Sequence, residues 1–78
     1  MKITEDWIKS NFVKETDEHG ELFTRNITDC GTLALMSDDE LGFTEVMLFP
    51  YHEIRFQTTE QVEECYKSLT GESFYSVL

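Results

Sequence analysis

The stretch from Thr58 to Gly71 constrains this chain more than any other, because it carries the start, the apolar stripe and the stop of one helix. Thr58-Thr59-Glu60-Gln61 offers a capping box in which Thr58 caps and Gln61 reaches back; a start one residue later, at Thr59, is the alternative. Val62, Cys65, Tyr66 and Leu69 recur at i, i+3, i+4 and i+7 and make one apolar side, while Glu60, Glu63, Glu64 and Lys67 face away. Gly71 supplies the left-handed residue that ends a helix, and Phe74 is near enough to fold back on the last turn. Such a helix has to bury its stripe against a second layer.

The middle of the chain supplies that layer as strands. Leu22 to Ile27 is rich in β-branched and aromatic residues, Thr28-Asp29-Cys30-Gly31 reads as a turn, and Thr32 to Met36 is a second strand completing a hairpin. Ser37 to Gly42 is the next connection. Phe43 to Phe49 is a third strand stopped by Pro50, and Tyr51 to Phe56 a fourth, or an edge strand. At the amino end Thr4-Glu5-Asp6 is a helix start, and helix 1 runs to about Asn11 with Trp7, Ile8 and Phe12 along one side. Lys14 to Gly20 is polar, lacks an apolar period and ends in His19-Gly20, so it is predicted to be a connecting turn. The predicted fold is a single α+β domain over 1–78: a two-layer arrangement of an antiparallel β-meander of three to four strands with an N-terminal and a C-terminal helix. Tyr75 to Leu78 is left unassigned.

On the third strand Phe43, Met47 and Phe49 point one way and Val46 and Leu48 the other, so both sheet faces carry apolar residues. If both helices cover one face, the second set is left for a partner or a second copy of the chain; in the other arrangement the tail wraps over it.

Sixteen Asp and Glu against six Lys and Arg give a net charge of −10. The imbalance lies mostly beyond Gly20, where Lys and Arg are sparse. Such a surface repels a phosphate backbone and an anionic membrane, which need Lys or Arg to displace counterions. It attracts a basic partner, the nucleic-acid groove of another protein included, with an on-rate that falls as salt rises. The bland counterpart is that the acidity serves solubility alone. The contact candidates are Asp38, Asp39, Glu40 and Glu45 around the second connection, and Glu60, Glu63 and Glu64 on the outer side of the last helix.

Motifs for chemistry are sparse. Cys30 and Cys65 stand far apart without neighbouring cysteines, which fits two reduced thiols rather than a zinc site or disulfide scaffold. His19 reads as a turn residue and His52 as a strand-end residue, without the His-x-x-x-His or Cys-x-x-Cys spacing of a metal site. Asp38-Asp39-Glu40 resembles the opening of a calcium loop, but Gly42 falls where a ligand is wanted and Phe49 where the closing Glu belongs. No nucleophile elbow or phosphate-cradling Gly-rich loop is present. The expectation is therefore a protein that is not an enzyme and takes no cofactor. Acids near the amino terminus stand where a signal peptide needs apolar residues, and the longest apolar runs, Leu33 to Met36 and Val46 to Phe49, are too short to span a bilayer; the expected location is cytoplasmic.

The opening Ile3-Thr4-Glu5-Asp6-Trp7-Ile8 with Phe12 after it, and the ending Tyr66-Lys67-Ser68-Leu69-Thr70-Gly71-Glu72, resemble a group of small uncharacterised proteins of Bacteroidetes bacteria and their phages and mobile elements. The chain departs from that pattern in its middle and at Thr59 and Cys65, where the group carries larger aliphatic residues. The resemblance implies the same helix, meander, helix layout and the setting of a phage or mobile-element accessory protein, active in the host cell cytoplasm. The functional expectation is an acidic binding protein that inhibits or modulates a host protein, by nucleic-acid mimicry of an anti-defence type. Its partner is a protein with a basic surface, not nucleic acid or membrane. A homo-oligomeric assembly protein is the alternative, and a small enzyme a more distant one.

Overall fold

The computed structural model describes residues 1–18 and 20–75. Helix α1 (Glu5–Asn11) opens where Thr4 Oγ1 accepts the Trp7 N–H at 3.2 Å, with Glu5 and Asp6 in its first turn. An unpaired N–H at the helix start is thereby satisfied, and the acids sit at the positive end of its dipole. Five strands follow: β1 (Val13–Asp17), β2 (Gly20–Asn26), β3 (Ala34–Asp38), β4 (Val46–Phe49) and β5 (Tyr51–Phe56), with a single 3-10 turn at Asp39–Leu41 between β3 and β4. Helix α2 (Thr59–Thr70) closes the order. The strands form one antiparallel sheet in sequence order.

The ends of α2 are those the sequence marks. Thr58 Oγ1 accepts the Gln61 N–H and Gln61 Oε1 accepts the Thr58 N–H, both at 3.3 Å, which is the reciprocal capping box. Gly71, at φ 77°, ends the helix with its N–H on the Lys67 carbonyl. Residues 1–3 run back beside this start: Thr59 N donates to Met1 O at 2.8 Å, and Lys2 bridges Thr58.

Register decides which sheet residues meet the helices. Phe23 faces Ser37 and Leu35 faces Leu48, so Phe23, Leu35, Leu48 and Val46 share one side. They form one buried cluster with Ile3, Trp7, Ile8 and Phe12 from the amino end and Val62 and Phe74 from the carboxy end. Both helices therefore pack on the same sheet face. Ile8, Leu35, Val46 and Val62 are fully buried, each worth about 1.5–3 kcal/mol of apolar transfer. Ser37, also buried in this face, keeps its hydroxyl satisfied by donating to the Glu45 carbonyl at 2.7 Å.

The fold departs from expectation in three places. The sheet has five strands rather than three or four, because Lys14 to Gly20 is not a connecting turn: residues 13–17 form β1, paired with β2 from Val13↔Thr24 to Asp17↔Gly20. This polar edge strand is held by backbone hydrogen bonds and a Lys14–Glu21 ion pair at 3.1 Å, none of which needs an apolar period. The second predicted strand lies further along, at Ala34–Asp38, which takes Ser37 and Asp38 out of the connection. The third begins at Val46, not Phe43, because Phe43 has φ 54° and cannot continue a strand. Its ring instead turns to the helix side and meets Phe23 edge-on at 5.6 Å, so Phe43 does not share a face with Met47 and Phe49. The reading of His19 as a turn residue and of a tail wrapping the sheet beyond Tyr75 lie outside the described residues.

Candidate binding surfaces

The candidate carboxylates fall on two separate elements. Asp38 ends β3 and caps the 3-10 turn, its Oδ1 accepting the Leu41 N–H at 3.1 Å. Asp39 and Glu40 are exposed within that turn, and Asp39 lies beside Gly20 of the β1–β2 hairpin. Glu45, in the connection leading to β4, pairs with Arg55 of β5 at 3.6 Å.

Glu60, Glu63 and Glu64 project from the first turns of α2 and, with Lys67, Ser73 and Phe74, line a shallow groove of about 360 Å³. Two of the three already have partners. The Met1 amine bonds both Glu60 oxygens, and this hydrogen bond holds the Glu60 carboxyl below its ordinary range. Glu63 Oε2 accepts the Tyr75 hydroxyl at 2.9 Å, and that hydroxyl accepts Trp7 Nε1–H at 3.1 Å, tying the chain after α2 to α1. Among the described residues Asp29, Asp39, Glu40, Glu53 and Glu64 hold no cation.

A feature that charge counting misses lies on the sheet face away from the helices. Cross-strand pairing puts Leu22 and Thr24 of β2, Ala34 and Met36 of β3, and Met47 and Phe49 of β4 on this side. Ala34 and Met47 are buried there although, among the described residues, no helix covers them, while Phe49 remains 39% exposed. Leu22, Ala34, Met36 and Phe49 line a groove of about 230 Å³, with Glu15 of β1 at its edge. The alternation in the third predicted strand pointed to this face through Met47 and Phe49; the same alternation at Leu22-Phe23 and Leu35-Met36 is the signal that extends it to β2 and β3.

The thiols differ. Cys30 is exposed in the β2–β3 turn, and hydrogen bonding with Thr32 and then with Thr28 pushes its pKa down. Cys65 packs against the core cluster, and burial pushes its pKa up. His52 is exposed on β5, where its carbonyl accepts Arg55 Nε–H at 3.1 Å. Among the described residues no group of three or more His, Cys, Asp or Glu side chains converges as metal ligands do, and no helix is long and apolar enough to cross a membrane. No family model, curated protein or solved structure matches this chain.

Proposed function

We propose that this chain is a non-enzymatic binding protein whose acidic surface engages a basic region of another protein. The observation that carries the reading is the set of exposed, cation-free carboxylates Asp29, Asp39, Glu40, Glu53 and Glu64 on a chain of net charge −10. Four of its six Lys and Arg side chains are used internally: Lys9, Lys14 and Arg55 pair with Glu5, Glu21 and Glu45, and Arg25 is taken up by backbone carbonyls and aromatic rings. Charge of one sign left over on the outside raises the encounter rate with an oppositely charged partner.

Joined to the resemblance of both chain ends to phage and mobile-element accessory proteins, this favours a modulator of a host protein that occupies a site built for nucleic acid. The chain used as bait in bacterial lysate tests it. A basic protein is expected at about 50 mM salt and is lost at about 500 mM, where the Debye length falls to a few ångströms. The combined substitution Asp39→Asn with Glu40→Gln, or Glu63→Gln with Glu64→Gln, weakens recovery. No partner at either salt, or recovery indifferent to salt and to both substitutions, overturns the reading. A second reading, a homo-oligomeric assembly protein that pairs through the sheet face away from the helices, is removed by a strict monomer in light scattering.

A further inference from the structure

The groove on the sheet face away from the helices is a partly apolar recess in an acidic protein, and three observations narrow what fits it. Its volume of about 230 Å³ lies below the roughly 300–1,000 Å³ of small-molecule pockets, so it matches one bulky side chain rather than a metabolite. Leu22, Ala34, Met36 and Phe49 give it an apolar patch, beside Thr24, Asn26 and Gly31. Its surroundings are negative: Glu15 lines it, Asp38 lies on the same face opposite Leu22, and Glu45 holds Arg55, the cation placed by register beside Met47.

A second copy of the chain is a poor occupant, since two bodies of charge −10 repel and two recessed faces do not fill each other. Edge-to-edge pairing is also disfavoured at β5. There Met47 faces Arg55 but Leu48 faces Tyr51, so His52, Glu53 and Ile54 bulge from the ladder.

We propose that this groove is the docking site for a basic segment of a partner protein, which inserts one aromatic or large aliphatic side chain between Leu22, Met36 and Phe49 while flanking Lys or Arg residues meet the surrounding carboxylates. The inference rests on the binding function proposed above and adds the place and the anchor. A central apolar anchor with a charged rim is how compact interfaces concentrate their binding energy.

The chain contains three methionines, and they make the test selective. Met36 lines the groove and Met47 is buried on the same face, whereas Met1 lies against Glu60 at the start of α2. With methyl-labelled methionine, the full chain is titrated at low salt with acetyl-Lys-Lys-Phe-Lys-Lys-amide and with the analogue carrying Ala for Phe. The expected result is saturable movement of the Met36 methyl signal, binding about tenfold weaker for the Ala analogue, and loss of binding in Leu22→Lys and in Met36→Lys, with unchanged circular dichroism. In Leu22→Lys the Met36 and Met47 signals both report.

Movement of Met1 alone, equal for the two peptides, overturns the groove and leaves the acidic-surface function standing. No movement with either peptide overturns both. A doubled mass in light scattering without peptide, abolished by Met36→Lys, assigns the groove to a second copy and overturns the proposal.

Discussion

Arg25 sits in a chain that carries sixteen carboxylates, yet it pairs with none among the described residues. Its guanidinium donates to the Asn11 carbonyl at 3.4 Å and to the Phe74 carbonyl at 2.5 Å, and lies 4.1 Å from the Phe74 ring centroid and 4.7 Å from that of Tyr66. It thus joins the end of α1 to the segment that folds back after α2. A planar fork stacked on rings has no equivalent in an ammonium, so Arg25→Lys is expected to cost about 1.5–3 kcal/mol, read as a lower urea midpoint at unchanged slope. Tyr75 closes the same junction. Partial burial first, against the Trp7 N–H that favours the phenolate, and then the Glu63 carboxylate raise its pKa above the ordinary 10.0. A group raised on folding contributes stability that is complete below its unfolded value and is lost as pH rises through the folded one. An alkaline titration followed by phenolate absorbance should therefore show a late step that moves Trp7 fluorescence and is absent in Tyr75→Phe.

At the scale of elements, the β1–β2 hairpin depends on a backbone geometry that its side chains do not advertise. Gly20 pairs with Asp17 at φ 125°, a region that other residues enter only with strain. A Cβ there would meet Asp39 Oδ2 at 3.5 Å, an ordinary contact, so the penalty for Gly20→Ala is conformational, about 1–3 kcal/mol. Hydrogen exchange should show faster exchange of β1 amides and unchanged protection in α2. The opposite edge is managed differently, by the bulge in β5. Phe43 carries a comparable strain at φ 54°, offset by its edge-on contact with Phe23 and its packing against the core.

For the whole molecule, the charge of −10 is held within a Cα radius of gyration of 11.5 Å, the value expected of a compact chain of this length. Like charges are closer together in the folded chain than in the unfolded one, so self-repulsion opposes folding. Raising sodium chloride from about 20 mM to about 200 mM, which shortens the Debye length from roughly 20 Å to under 10 Å, should raise the melting temperature. Alanine at Phe74 tests the core on the same scale. This ring is buried, stacks on Trp7 at 5.5 Å and meets Tyr66 edge-on, so its removal should cost about 3–5 kcal/mol, measured by thermal unfolding.

The sequence by itself determined both helices, because capping and periodicity are local: Thr4 and Thr58 accept hydrogen bonds a turn ahead, Gly71 takes the left-handed turn, and Val62, Cys65 and Tyr66 of the apolar stripe meet the core, whereas Leu69 at its end stays 49% exposed. It also determined the meander from Leu22 to Phe56 and the apolar alternation of Met47 and Phe49 against Val46 and Leu48. Tertiary structure alone decided that Val13 to Asp17 is a strand, since a polar edge segment is specified by the backbone groups of its neighbour rather than by its own side chains. It alone put both helices on one face, and so left Leu22, Ala34, Met36 and Phe49 around a groove assembled from three strands. The candidate acids were legible as charges, but that Glu60 and Glu63 are engaged by Met1 and Tyr75 was not, because those contacts join residues distant in sequence.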